Sequence, residues 1–161
     1  MTETATTTKY SANPDVAAAA AQFLDPVVVD LTAVVVNGKQ AHWHVRGDNF
    51  IGVHELLDQV VMHALAWADL AAERVVALGL PVDARLRTVA TKTTTGELSA
   101  GFQQSKVAIT QMVEQLDAAL VTVRTAVKEL EEIDVNSQDV VVEIERGLVY
   151  DRWQLFAHIS E

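Results

Sequence analysis

The chain has no cysteine, which excludes disulfides and thiolate metal sites and leaves oxygen and imidazole nitrogen as the only strong metal ligands. Glycine and proline are scarce, at 7 and 3 residues, so extensive disorder is not expected away from the termini. Positive charge is also short: 12 Lys and Arg stand against 22 Asp and Glu, a net charge of −10. Phosphate binding needs clustered Lys and Arg, so nucleic acid is not the default partner, and an acidic surface attracts cations instead. No apolar run approaches the roughly 18 residues that cross a bilayer, and no membrane association is expected. Val16 to Leu24 has the apolar character of a signal-peptide core. It begins beside Asp15, however, and is preceded by Lys9 and Glu3 rather than a basic cluster, so a helix in a cytoplasmic protein is the better reading.

What is present is one domain of 161 residues, half of them hydrophobic. Residues 1–12, rich in Thr, read as a flexible tail, and residues 13–161 as the folded domain. Asn13-Pro14-Asp15 is a helix start, and helical pattern continues to about Val45, with Pro26 marking a kink or a restart. The Val-rich run Val27 to Val36 resembles a strand, but Asp30 and Thr32 interrupt it, and the bundle pattern around it favours helix. Arg46 to Asn49 is a turn, and a second helix spans roughly Ile51 to Leu78, ending at Gly79. Residues 82–101 form a long connection with room for one short helix. A third helix is expected from about Phe102 to Leu130, an acidic link over Glu131 to Asn136, and a fourth helix from Ser137 to about Ile159. Four long helices with a long connection between the second and third predict an all-α, ferritin-like four-helix bundle with a crossover.

The second helix carries His54, Asp58, Asp69 and Glu73. His54 and Asp58 share a face, as do Asp69 and Glu73, and all four fall within an arc of roughly 100°. Asp58 and Asp69 are nevertheless separated by roughly 16 Å of helix, far beyond metal bonds of about 2 Å. One helix cannot gather the four around one ion. The spacing offers another solution, because His54 and Glu73 are symmetric about the same midpoint as Asp58 and Asp69. An antiparallel pairing of this helix with its own copy sets His54 and Asp58 of one chain against Glu73 and Asp69 of the other, giving two equivalent sites per dimer. His42, from Ala41-His42-Trp43-His44, reaches the same place if the first two helices form a hairpin. Such a mixed imidazole and carboxylate shell suits iron in both common oxidation states, with Asp58 as the candidate bridging carboxylate. The Glu-x-x-His motif of conventional di-iron bundles is missing from the sequence.

The stretch Lys39-Gln-Ala-His42-Trp43-His-Val-Arg-Gly47-Asp-Asn-Phe50-Ile-Gly-Val-His54-Glu-Leu-Leu-Asp58, followed by Asp69-Leu-Ala-Ala-Glu73-Arg74, resembles the signature of the Dps family, the starvation-induced miniferritins. The likeness extends over nearly the whole chain, including Ser137-Gln138-Asp139. The family's ligands map onto His42, His54, Asp58, Asp69 and Glu73. His44 departs from the pattern, since many members have Asn there, and adds a candidate ligand or proton carrier. The resemblance implies a hollow homododecamer with ferroxidase sites shared between two subunits, each taking two irons. It implies oxidation of Fe(II), preferentially with hydrogen peroxide and otherwise with dioxygen, and storage of Fe(III) mineral in the cavity, protecting the cell from oxidative stress.

By the same resemblance, Trp43 stands near enough to the iron to intercept stray oxidising equivalents, the plainer reading being a core aromatic. Asp134, Asp139 and Glu143 become candidates for acidic pores through which iron passes, the plainer reading being a solvated link and helix N-terminal acids. Some family members bind DNA through Lys-rich tails. This tail offers only Lys9 opposed by Glu3, and the sequence ends at Glu161, so DNA binding is expected to be weak or absent. Two competing functions are a nucleoid DNA-binding protein and a metal-dependent hydrolase using the same ligands.

Overall fold

Asn13 starts the first helix through its side chain, which accepts a hydrogen bond from the Asp15 amide, while Pro14 occupies a position where no amide partner is needed. The computed structural model describes residues 12–160. Apart from Ala12, the expected tail over residues 1–12 lies outside that range. Helix α1 runs Pro14–His44 and passes through Pro26 without ending or restarting. Val27, Val28, Val29 and Leu31 are buried immediately after it, and their packing outweighs the roughly 3 kcal/mol that an internal proline costs. The same burial makes the Val-rich run helical. One expectation needs correction: α1 holds an 18-residue window of mean hydropathy 1.7, long and apolar enough to pass as a membrane span. Of that window 56% is buried inside the fold, as in a core helix.

β1, Val45–Arg46, leads through a turn into α2, Phe50–Ala77. α2 ends as the sequence predicts. Gly79 adopts φ 93, its amide donates to the Val76 carbonyl, and the Leu80 amide reaches back to the Val75 carbonyl, satisfying the last turn. The crossover contains the short α3, Leu86–Lys92, and then β2, Gln103–Gln104, which pairs in parallel with β1. That pairing is why α4 begins at Ser105 rather than Phe102: Gln103 and Gln104 are extended against Val45 and Arg46, and the Ser105 hydroxyl donates to the carbonyls of Arg46 and Asp48. α4 spans Ser105–Leu130, and α5 spans Val135–Ala157, starting before the expected Ser137 because Asp134 caps it.

The four long helices form one bundle. α1 packs along α2 and α4, α5 along α4 and α2, and α3 lies on α1. Leu31, Leu57, Met112, Leu116, Leu148 and Leu155 fill the interior with essentially no exposure. Two carboxylates sit inside it, Asp30 and, on α5, Asp151. Asp30 on α1, 1% exposed, accepts hydrogen bonds from the Thr94 amide and from the hydroxyls of Thr93, Thr94 and Thr122, at 2.6 to 2.9 Å. It therefore fastens the crossover and α4 to α1.

Candidate metal centre

The α1–α2 hairpin lays His42, near the end of α1, against His54 in the second turn of α2. Their rings stack with centroids 3.7 Å apart and planes 22° apart. Each ring is fixed by the other residue's backbone: His42 Nδ1 lies 2.8 Å from the His54 carbonyl, and His54 Nδ1 lies 2.9 Å from the His42 carbonyl. A carbonyl only accepts, so each Nδ1 carries the proton. Each Nε2 is left with its lone pair, the form of imidazole that binds a metal.

Asp58, one turn beyond His54, is paired with the Lys39 ammonium, one turn before His42. The hydrogen bond from Lys39 is the main cause holding the Asp58 carboxyl below its usual range; burial opposes it, and the charges of Lys39, His42 and His54 add to it. His42, His54 and Asp58 line one open depression, together with Glu55, Gln59, Met62 and His63. Asp69 and Glu73 lie further along α2, both exposed. Met62 and Leu65 lie on α2 between the two ligand pairs and are themselves exposed, at 61% and 54%. Among the described residues of a single chain, no three His, Asp or Glu side chains gather as a metal-binding group. One chain thus lines a single depression with His42, His54 and Asp58 without closing them into a metal-holding cluster, and leaves Asp69 and Glu73 apart.

Trp43 is 64% exposed in the single chain, which removes the core-aromatic reading. His44 bonds through Nδ1 to the Gln40 carbonyl at 2.9 Å and lies against the Phe102 ring, tied to α1 and the residue just before β2 rather than to the His42–His54 pair.

The three pore candidates part company. Asp139 and Glu143 are exposed, one turn apart on α5. Asp134 is the N-cap of α5: its carboxylate accepts from the Ser137 amide and hydroxyl, and from Arg74 Nη2 at 2.6 Å. Burial works to raise the Asp134 pKa, but the hydrogen bonds from Ser137 and Arg74 prevail and hold it below its usual range. Asp134→Ala is expected to cost about 1–2 kcal/mol at neutral pH. Because the folded pKa lies below the unfolded one, Asp134's contribution is present above about pH 3.9 and is lost as pH falls through the folded value. Melting temperatures of wild type and variant should therefore converge in acid; a gap that persists or widens there would contradict the assignment.

Sequence reasoning missed two groups at the edge of this site. Lys39 stood inside the quoted signature, three residues before His42, a spacing that shares a helix face. The other is a dyad between α2 and α5, with His63 Nδ1 3.0 and 3.1 Å from the two carboxylate oxygens of Asp151. The legible signal was Asp151 itself, which holds a carboxylate on the buried stripe of α5 between Leu148 and Leu155.

The ferritin-like domain family matches residues 22–161. The solved structure of Dps from Microbacterium arborescens in its high iron form is 58% identical, with a TM-score of 0.91, covering 94% of this chain and 99% of that one. The DNA protection during starvation protein of Agrobacterium fabrum is 31% identical over 83% of this chain and 82% of its own length. DNA protection during starvation protein 2 of Deinococcus radiodurans is 27% identical over 86% of this chain, a match that spans 58% of that longer protein.

Proposed function

The chain belongs to the Dps family of ferritin-like proteins, and on that premise we propose that it is a ferroxidase and iron store. It takes Fe(II) as substrate at sites shared between two subunits, two irons per site, oxidises it preferentially with hydrogen peroxide, and keeps Fe(III) mineral inside a hollow homododecamer in the cytoplasm. The observation that carries this reading is the locked imidazole pair. His42 and His54 are held in the tautomer that offers Nε2, beside Asp58, while the carboxylates that would complete the shell lie exposed on the same helix, out of reach within one chain. An antiparallel copy of α2 supplies them as Asp69 and Glu73 and covers exposed Met62 and Leu65.

Lys39 pairs with Asp58, so iron taken up at that carboxylate would displace an ammonium. Neutral imidazoles suit Fe(II), and hard carboxylate oxygens favour the Fe(III) product. Two irons side by side deliver two electrons to one peroxide, which avoids the one-electron step that releases hydroxyl radical. Trp43, next to His42 in the sequence and exposed, is the residue proposed to take up stray oxidising equivalents. Asp139 and Glu143 are the groups proposed to draw iron toward the cavity, with Asp134 contributing to the same region while serving as a cap.

Fe(II) mixed with peroxide should give a rapid rise in Fe(III) absorbance. Asp58→Ala and Glu73→Ala should each slow it at least about 100-fold while particle mass stays that of the full assembly. Wild-type rates in either variant would overturn the reading. DNA binding is proposed to be weak, since twelve copies at −10 each carry about −120 and phosphate attraction has no evident source. A gel shift near 0.15 M salt is expected to leave DNA unretarded; tight retention would reverse this part of the proposal.

A further inference from the structure

We propose that His63 and Asp151 form a proton-accepting dyad that serves the iron site, a role that rests on the ferroxidase reading above. His63 lines the same depression as His42, His54 and Asp58, yet belongs to no ligand pair. Its Nδ1 faces both oxygens of Asp151, which only accept, so the neutral ring carries its proton on Nδ1 and keeps the Nε2 lone pair. A proton arriving at Nε2 turns the ring into an imidazolium already paired with a carboxylate. The pair is asymmetric in burial: the His63 side chain is 47% exposed and that of Asp151 is 1% exposed, so the acceptor atom faces outward and its counter-charge is sealed inside.

The fold invests in this placement. The Trp67 indole lies 5.5 Å from the His63 ring and rests on Gly147 of α5, where even one added methyl carbon would sit 2.0 Å from the indole. That close approach sets α2 against α5 at the level of the dyad. Asp151 occupies a buried position that Leu or Val would fill more cheaply, and burial raises its pKa despite the opposing hydrogen bond from His63. A carboxylate kept there against that penalty is explained by what it does to His63. The other titratable or charged groups lining the depressions that the ring borders are His54, Glu55 and Asp58 on α2, His42 on α1, and Glu143, Arg146 and Tyr150 on α5. His63 also lies beside the midpoint between Asp58 and Asp69, so in the antiparallel pairing each site has a dyad on the side toward the axis.

Ferroxidation needs such a group. Two Fe(II) each give up one electron, the O–O bond of hydrogen peroxide takes both and breaks, and with two waters the products are two FeO(OH) and four protons. Those protons come from water and peroxide oxygen at the metal. His63 Nε2 accepts one at a time and passes it to solvent or buffer, returning to the neutral ring for the next. Asp151 keeps its hydrogen bond from Nδ1 throughout, is ion-paired only while the ring is protonated, and acts as the positioning residue.

The test is stopped-flow oxidation of Fe(II) by peroxide in dilute, weakly basic buffer at about pH 6.5. It compares wild type, His63→Gln and Asp151→Asn, with anaerobic Fe(II) titration of each as assembled protein. His63→Gln is expected to bind the same number of Fe(II) but to oxidise them roughly 10- to 100-fold more slowly. Added free imidazole should restore most of the rate, while leaving wild type unchanged. Asp151→Asn should fall between the two.

Rescue by a diffusible base is what a merely structural histidine would not show. A wild-type rate in His63→Gln would overturn the proposal. So would slow oxidation that imidazole does not rescue, or a loss of bound Fe(II), which would make His63 a ligand instead. Should His63→Gln prove unstable, Asp151→Asn measured with and without imidazole decides alone by the same criteria. If wild type itself does not oxidise Fe(II), the ferroxidase reading has failed, and that result is distinct from every outcome for the variants.

Discussion

Mixing two inactive variants is expected to restore Fe(II) oxidation. One variant, His42→Ala with His54→Ala, lacks the imidazoles; the other, Asp69→Ala with Glu73→Ala, lacks the distant carboxylates. Assembled separately, each should be at least about 100-fold slower than wild type, because every site is missing two of its five ligands. In a dimer of one variant with the other, one of the two sites takes its imidazoles from the second variant and its carboxylates from the first, and is whole. Random mixing during reassembly makes about half the dimers of this kind, so about a quarter of all sites recover. A single chain leaves Asp69 and Glu73 apart from the His42–His54 pair, and the geometry of α2 explains why, since roughly 16 Å of rigid helix separates Asp58 from Asp69. Co-refolded protein whose rate stays at the sum of the two parents would mean that subunits do not share their ligands. The measurement is Fe(III) absorbance, with mixing verified by mass.

The second large effect concerns the fold rather than the chemistry. Asp30→Ala is expected to lower stability by about 3–5 kcal/mol, because it removes a buried charged acceptor and strands the donors aimed at it. Those donors are the Thr94 amide and the hydroxyls of Thr93, Thr94 and Thr122, which come from the crossover and from α4. At roughly 2–4 °C per kcal/mol for a chain of this size, the melting temperature should fall by about 10 °C. Thr122→Val removes one donor of the four and should cost about 1 kcal/mol. Amide exchange should quicken first in the crossover near Thr94, since that segment loses its attachment to α1. A melting temperature within about 2 °C of wild type would show that the network carries little of the stability. The carboxylate persists in an apolar helix because four donors converge on it; with fewer, burial would not be tolerated.

The helices were legible because their signals are local. Asn13-Pro14-Asp15 and Gly79 act within a turn of their own position, and both ends formed where they stand in the sequence. Errors arose where a distant segment intervened. Phe102 was expected in α4, but β1, far away in sequence, draws Gln103 and Gln104 into a strand. Asp134 reads as one acid in an acidic link, and only the approach of Arg74 from α2 makes it a paired cap. Pro26 could have broken α1; burial of the valines that follow kept the helix whole.

From the residues alone came the chemistry of the candidate centre: with no cysteine the ligands had to be His, Asp and Glu, and the symmetric spacing of His54, Asp58, Asp69 and Glu73 already implied that one helix was not enough. The tertiary structure decided what spacing does not encode. It set the tautomers of His42 and His54 through each other's carbonyls, placed Lys39 on Asp58, and brought Asp151 from α5 beneath His63. Periodicity along a helix specifies which residues share a face, because the rise and turn per residue are fixed. What that face meets depends on how separate helices pack, and hydrogen bonds between residues far apart in the chain exist only once they have done so.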